Sequence, residues 1–249
     1  MIQTVHGVAS DRGIREENED CALAQWPVFA VADGVGGHSG GAAASAAVVN
    51  ALGQVGAVRA VSDIDSVLSA ARADVEHLRH RGRAPGSTVS GVVFTEAHPP
   101  RALVFNVGDS RTYISRSHHL FQIMKDHSFV QELVDEGVMS EDEARCSRQR
   151  NIITRALGAG SPDRRVDYFE VALAVGDRFL ACTDGVCATL TPQQISDVLN
   201  AGLDPQATAS ALVQTALKEG TCDNASAVVV DVTSTCGVDE SLIWERGED

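Results

Sequence analysis

Phe29-Ala30-Val31-Ala32-Asp33-Gly34-Val35-Gly36-Gly37-His38-Ser39-Gly40-Gly41 runs from an apolar segment to an aspartate, through a glycine-rich turn, into the alanine-rich pattern Ala42 to Leu52. Strand, turn and helix are the expected local order. Two chemistries suit it. Gly34-x-Gly36 between a strand and a helix suggests a backbone cradle for a dinucleotide pyrophosphate. Alternatively, Asp33 is a carboxylate held at a strand end beside free carbonyls, which makes the turn a cation site. The rest of the chain decides between them.

The 249 residues suffice for one large domain or two small ones. A composition of 44% hydrophobic and 22% charged residues is that of a soluble globular chain, and no apolar run approaches the ~20 residues of a membrane-spanning helix. Met1-Ile2-Gln3-Thr4-Val5-His6 lacks the basic and apolar regions of a secretory signal, so a cytoplasmic location is expected. A net charge of -14, from 34 acidic against 20 basic residues, argues against nucleic acid and anionic lipid as partners. Bound cations would neutralise part of it. The six cysteines form no C-x-x-C pair and the histidines lack zinc spacing, so reduced core thiols are expected.

Working outward from the turn gives the fold class. Val5 to Ser10 and Cys21 to Ala24 have strand character on either side of the polar segment Asp11 to Asp20. Ala42 to Val55 and about Ser62 to His80 carry helical spacing, the second with Ile64, Leu68, Ala71 and Val75 on one face. Ser87 to Phe94 and Ala102 to Val107 predict a hairpin that Arg111 to Ile114 extends. Asp126-His127-Ser128 opens a helix that Gly137 stops, and Ser140 to Glu143 has capping-box spacing. The polar run Arg145 to Arg150 is expected to be mobile. Arg178 to Thr183 predicts a strand ending in Asp184-Gly185, Thr191-Pro192 and Asp204-Pro205 open two helices, and Asp223-Asn224 precedes the strand Ala225 to Val232. Antiparallel-looking strand runs separated by paired helices predict an α+β layered domain, not βαβ alternation.

Asp33, Asp109, Asp184 and Asp223 share one local grammar, each beside a glycine or asparagine at the end or start of an apolar strand. One such aspartate is an ordinary turn residue. Four of them, with Glu19-Asp20 as a fifth such place, would meet if their loops share one sheet edge, and like charges that close repel unless cations lie between them. Oxygen-only ligands suit Mg²⁺ or Mn²⁺ better than zinc. Two such ions about 3.5–4 Å apart activate a bridging water and clamp a phosphoryl group. Arg15 suits a bidentate hold on phosphate oxygens; the alternative is a surface ion pair with Glu16, Glu17 or Glu19.

Arg15-x-x-Asn18-Glu19-Asp20, Asp33-Gly34-Val35-Gly36-Gly37-His38, Gly86-Ser87-Thr88, Val107-Gly108-Asp109-Ser110-Arg111, Asp126-His127-Ser128, Thr183-Asp184-Gly185 and Asp223-Asn224-Ala225-Ser226 follow one another in this order. In these motifs, from about Val5 to Val232, the chain resembles the metal-dependent protein phosphatase family, protein phosphatase 2C, in its compact bacterial form. The resemblance implies a four-layer αββα sandwich, two antiparallel β-sheets flanked by helix pairs, with a two-metal site in the cleft at one end. It implies a catalytic domain over residues 1–233, with a flap at about 128–150, followed by an acidic, mobile tail over residues 234–249.

The activity implied is that of a serine/threonine protein phosphatase hydrolysing phosphoserine and phosphothreonine in proteins by attack of a metal-bridging water or hydroxide. Two divalent cations, Mn²⁺ or Mg²⁺, would be held. Asp33 would bridge them, Gly34 would lend its carbonyl to one, and Asp184 and Asp223 would complete the shell of the other. Glu19 and Asp20 match an acidic pair that binds metal directly or through water, with Asp20 preferred. Arg15 matches the phosphate clamp. Asp109 resembles a ligand of a third, weaker metal, although Ala188 stands where some members carry another carboxylate. Val35 stands where some relatives carry the general acid histidine, which leaves His38 as candidate proton donor or as a turn residue. The implied partners are phosphoproteins, either targets of a Ser/Thr protein kinase or that kinase itself, met by a monomer without nucleic acid or membrane. A phosphatase-fold binding module without catalysis would require a broken metal set, whereas Asp33, Asp184 and Asp223 are all present. The dinucleotide alternative sets Asp33 against a pyrophosphate and lacks βαβ alternation.

Overall fold

The computed structural model describes residues 2–36, 39–79, 84–96, 99 and 101–235. Strands β1 (Ile2–Asp11), β2 (Asp20–Gln25) and β3 (Val28–Val35) lead into helices α1 (Ser39–Leu52) and α2 (Val61–His77). Then follow β4 (Gly86–Ser87), β5 (Val89–Phe94), β6 (Arg101–Val107), β7 (Arg111–Arg116) and β8 (His119–Gln122), with α3 (Phe129–Asp135) and α4 (Glu141–Cys146) after them. The remainder is β9 (Leu157–Gly158), β10 (Asp167–Ala172), β11 (Arg178–Cys182), α5 (Asp184–Cys187), α6 (Pro192–Leu199), α7 (Pro205–Lys218) and β12 (Ala225–Thr235). The helix starts follow from their caps. Ser140 and Thr191 form capping boxes with Glu143 and Gln194, and Asp204 accepts from Ala207 N just ahead of Pro205.

Among the described residues the strands form two antiparallel sheets, one ordered β1-β12-β11-β7-β8 and the other β10-β6-β5-β3-β4-β9, with β2 paired to β3. Alternation along each strand sorts its side chains between two cores. In β3, Val28, Ala30 and Ala32 pack with Val48, Ile64 and Leu68 of α1 and α2. Its other face, Phe29 and Val31, meets Phe179 of β11 and Val228 of β12 between the sheets. β12 repeats the device, turning Ala227 and Val229 towards Ile195 of α6 and Leu212 of α7, and Val228 and Val230 inward. The layers are therefore helix, sheet, sheet, helix, the αββα sandwich that the motifs imply. Phe94 joins the two sheets by edge contacts with Phe29 and Phe179, at centroid distances of 5.7 and 6.0 Å.

Several elements depart from the sequence expectation. α1 begins at Ser39, so Gly40 and Gly41 are helical and not part of the turn. β8 and β10 are edge strands with mostly exposed or half-buried side chains, which give no alternating apolar signal. β4 and β9 are two-residue pairings made only in the folded chain. The tail residues 236–249 lie outside the described residues. No helix among the described residues is long and apolar enough to cross a membrane.

Antiparallel pairing decides where the acidic motifs fall. Asp20 at the start of β2 sits opposite Asp33 near the end of β3, Cys182 at the end of β11 sits opposite both Arg111 and Ala227, and Asp11 at the end of β1 sits opposite Ala225. The strand ends that carry Asp20, Asp33, Asp109, Asp184 and Asp223 thus converge at one end of the sandwich.

Candidate metal centre

The main chain at Asp33 is fixed on both sides. Asp33 N donates to Thr88 Oγ1 (3.0 Å), Thr88 N donates to Asp33 O (2.8 Å), and Ser87 Oγ donates to the same carbonyl (3.1 Å). Gly86-Ser87-Thr88 is therefore the brace that aims the aspartate. The next residue must be glycine, because a Cβ at Gly34 would run into the Gly41 carbonyl. Gly41 is equally confined, since its Cβ would stand 2.8 Å from both the Glu19 carboxyl carbon and Gly34 O. Glu19 is half-buried beside this contact, and its carbonyl accepts from Gly34 N (3.1 Å).

Asp20 is buried at 7% exposure, and its Oδ2 accepts from Thr183 Oγ1 and Ser226 Oγ, both at 2.8 Å and both on the opposite sheet. Its Oδ1 is buried with no hydrogen-bond partner. Asp184, at the first turn of α5, also has a buried Oδ1 without a partner. Desolvation is the main cause that lifts the Asp20 carboxyl to about 7 and Asp184 to about 6; Asp223 adds to both, and Asp184 also acts on Asp20. Asp33 is pushed well above the ordinary carboxylate range by burial, then by the charges of Asp20, Asp184, Asp109 and Asp223. Asp109 is buried, and burial followed by Asp184 raises it too. The acidic residues picked out from the sequence therefore act on one another as one electrostatic group.

Arg15 enters this group from the β1–β2 loop. Its Nη2 lies 2.6 Å from Asp223 Oδ2, and its Nε donates to Cys222 O (3.0 Å). The carboxylate it meets is one of the expected ligands, not Glu16 or Glu17. Asn224 ties the same loop down: Oδ1 accepts from Glu19 N (2.8 Å), and Nδ2 donates to Arg12 O (2.9 Å) and Glu17 O (3.0 Å). Gly185 is obligatory because a Cβ there would enter the Asn224 carbonyl. Thr183, Ser226 and Asn224 carried no role in the sequence argument, although each stands within a recognised motif. His38 lies outside the described residues.

Among the described residues, no three His, Cys, Asp or Glu side chains already close on a single ion. The donor set nevertheless fits divalent cations that keep part of their water shell. Two carboxylate oxygens are buried without partners, which is costly unless a cation or its water meets them. Mutual repulsion among at least four acidic groups calls for positive charge, and Arg15 supplies only one.

Residues 18–220 match the family described as Protein phosphatase 2C. The serine/threonine protein phosphatase PstP of Mycobacterium tuberculosis is 35% identical over 91% of the chain, and the chain spans 45% of that relative's length. A crystal structure of the Mycobacterium tuberculosis serine/threonine phosphatase PstP/Ppp superposes with a TM-score of 0.85 at 31% identity, covering 94% of this chain and 100% of that one. The catalytic domain of PstP in complex with two manganese ions has a TM-score of 0.81 at 32% identity, with the same coverage.

Proposed function

Because the chain belongs to the protein phosphatase 2C family, we propose that it is a metal-dependent protein serine/threonine phosphatase, hydrolysing phosphoserine and phosphothreonine in proteins with two divalent cations, Mn²⁺ or Mg²⁺. The observation that carries this is the convergence of Asp20, Asp33, Asp184 and Asp223 at one sheet end, with Asp20 Oδ1 and Asp184 Oδ1 buried and unpartnered. The manganese-bound relative supports the choice of cation.

Asp33, held by Thr88 and Ser87, and the Gly34 carbonyl beside it would hold the cations. Asp184 and Asp223 would hold them from the other sheet's end. Asp20 keeps Oδ1 unpartnered while Thr183 and Ser226 hold Oδ2, which would leave Oδ1 for a direct or water-mediated ligand role. Glu19 and Asp109 stand at the margin of the set. Bound there, the cations supply Lewis acidity, making water more acidic and neutralising phosphoryl charge. Arg15 then leaves Asp223 and places its fork on two phosphate oxygens, orienting the ester. His38 is the proton donor proposed for the leaving alkoxide.

The partners proposed are phosphoproteins, either targets of a Ser/Thr protein kinase or the kinase itself, met by a monomer. The net charge of -14 supports a role without nucleic acid or membrane. The five described cysteines are free, which supports a reducing, cytoplasmic setting. The test is release of phosphate from phosphothreonine and phosphoserine peptides with Mn²⁺ and after chelation. Turnover that needs the metal is expected. Turnover that survives chelation overturns the mechanism, and metal binding without turnover turns the protein into a phosphoprotein-binding module.

A further inference from the structure

A cavity of about 490 Å³ adjoins the acidic group. Asp109, Asp184 and Ala188 form one wall at the sheet end; Val130, Ala144, Arg145 and Arg150, from the segment around α3 and α4, contribute the other. Arg111 and Asp126 also line it, but they satisfy each other, with Nη2 to Oδ2 at 2.7 Å. Glu141 lines it as a further acidic group.

The arginines here differ from most of the other described arginines, although Arg12 and Arg72 also donate only to backbone carbonyls. Arg101, Arg116, Arg155 and Arg178 each face a carboxylate within 3.4 Å. Arg145 instead donates only to Leu190 O and Arg150 only to Ser147 O, each at the long distance of 3.4 Å, and neither has an acidic partner among the described residues. With Arg148 they place three guanidinium groups in the run Arg145 to Arg150 of a protein whose net charge is -14. Cations left without counter-charges on so acidic a protein, in a cavity that opens beside Asp184, are matched to an anion from outside.

Resting on the phosphatase reading, we propose that Arg145 and Arg150 form a subsite for an anionic side chain close in sequence to the phosphoresidue, either a carboxylate or a second phosphate ester. An extended substrate advances about 3.3 Å per residue, so the near neighbours of a phosphoresidue at the acidic group reach the cavity that adjoins it. The guanidinium fork fits both anions, and Val130 and Ala144 offer apolar surface to the stem that carries them. The substrates favoured are then phosphoproteins with acidic or multiply phosphorylated sites.

Synthetic phosphothreonine peptides with neutral flanks, glutamate flanks or one flanking phosphoserine test this, assayed with Mn²⁺ on the full chain and on Arg145→Gln/Arg150→Gln and Arg145→Lys/Arg150→Lys. The quantity read is the ratio of kcat/KM for an anionic peptide to that for the neutral peptide within each protein. A preference of roughly fivefold, carried by KM and weakened by salt, is expected for the native chain. It should vanish in the glutamine variant and persist in the lysine variant. A glutamate-selective or phosphate-selective preference supports the subsite and identifies its anion. A ratio near one in the native chain, or a preference that survives in the glutamine variant, overturns the proposal. Failure to turn over even the neutral peptide refutes the phosphatase reading instead, which separates the two.

Discussion

Arg15 Nη2 and Asp223 Oδ2, contributed by residues 208 apart in the sequence, stand 2.6 Å from each other at the mouth of the acidic group. The guanidinium occupies a carboxylate that the proposed chemistry assigns to a divalent cation. On that reading Arg15 would compete with the cation and, once displaced, be free to meet the substrate phosphate.

Arg15→Gln should consequently separate metal affinity from turnover. Calorimetric titration with Mn²⁺ should show tighter binding than in the native chain, because a fixed positive charge has been removed from the site. Phosphopeptide kcat/KM should fall about 10- to 100-fold, the loss of a charge-assisted bidentate contact. Weaker Mn²⁺ binding in the variant would show that Arg15 organises the site and does not compete for it.

The raised carboxyls set a pH dependence for the protein stripped of metal. Asp20 at about 7 and Asp184 at about 6 lie above their ordinary value of 3.8, so between these limits the folded chain holds more protons than the unfolded one. Stability then falls as pH rises through this window, and the loss is complete above the folded values. In EDTA the thermal midpoint should drop from about pH 5 to about pH 8, and saturating Mn²⁺ should abolish that drop. A midpoint that rises with pH in EDTA would contradict the electrostatic account.

Asp33→Asn should abolish phosphatase activity while making the metal-free protein more heat-stable at about pH 8. Burial and four neighbouring carboxylates oppose ionisation of Asp33, and the amide removes that opposition at nearly constant shape. A phosphopeptide assay checks the first half and thermal scans with and without Mn²⁺ the second, since the variant should gain stability in EDTA and lose most of the metal-induced increase.

Asn224→Ala should cost about 3 kcal/mol, the sum of three part-buried hydrogen bonds at about 1 kcal/mol each. Urea denaturation measures it. Because the bonds lead to Arg12, Glu17 and Glu19, the variant should also raise KM by loosening the loop that presents Arg15.

The sequence made the layered α+β class and the acidic motifs visible because both are local signals, apolar alternation in one case and strand-ending aspartates in the other. β8 and β10 escaped because edge strands that keep polar or exposed residues on both faces do not alternate. The setting of Asp20 escaped for another reason. Its hydroxyl partners Thr183 and Ser226 are 163 and 206 residues away, and no local pattern announces a pairing made by two sheets folding together. The partner of Arg15 was open for the same reason: three glutamates stood nearer in sequence than Asp223. Gly34 and Gly185 were legible as turn glycines, but the carbonyls that forbid a side chain there became apparent only in three dimensions.

The pairing of β1 with β12 has a consequence for when the protein can act. Asp11 is matched to Ala225, so β1 waits for β12, made much later, before the end that carries Arg15 is held. Arg15, Asp20 and Asp33 are made well before Asp223 and the Asn224 tether. A chain stopped short of Asp223 therefore lacks one carboxylate of the acidic group and the Asn224 tether. Completion of β12 is then the step that brings Asp223 up to Arg15 and closes the acidic group.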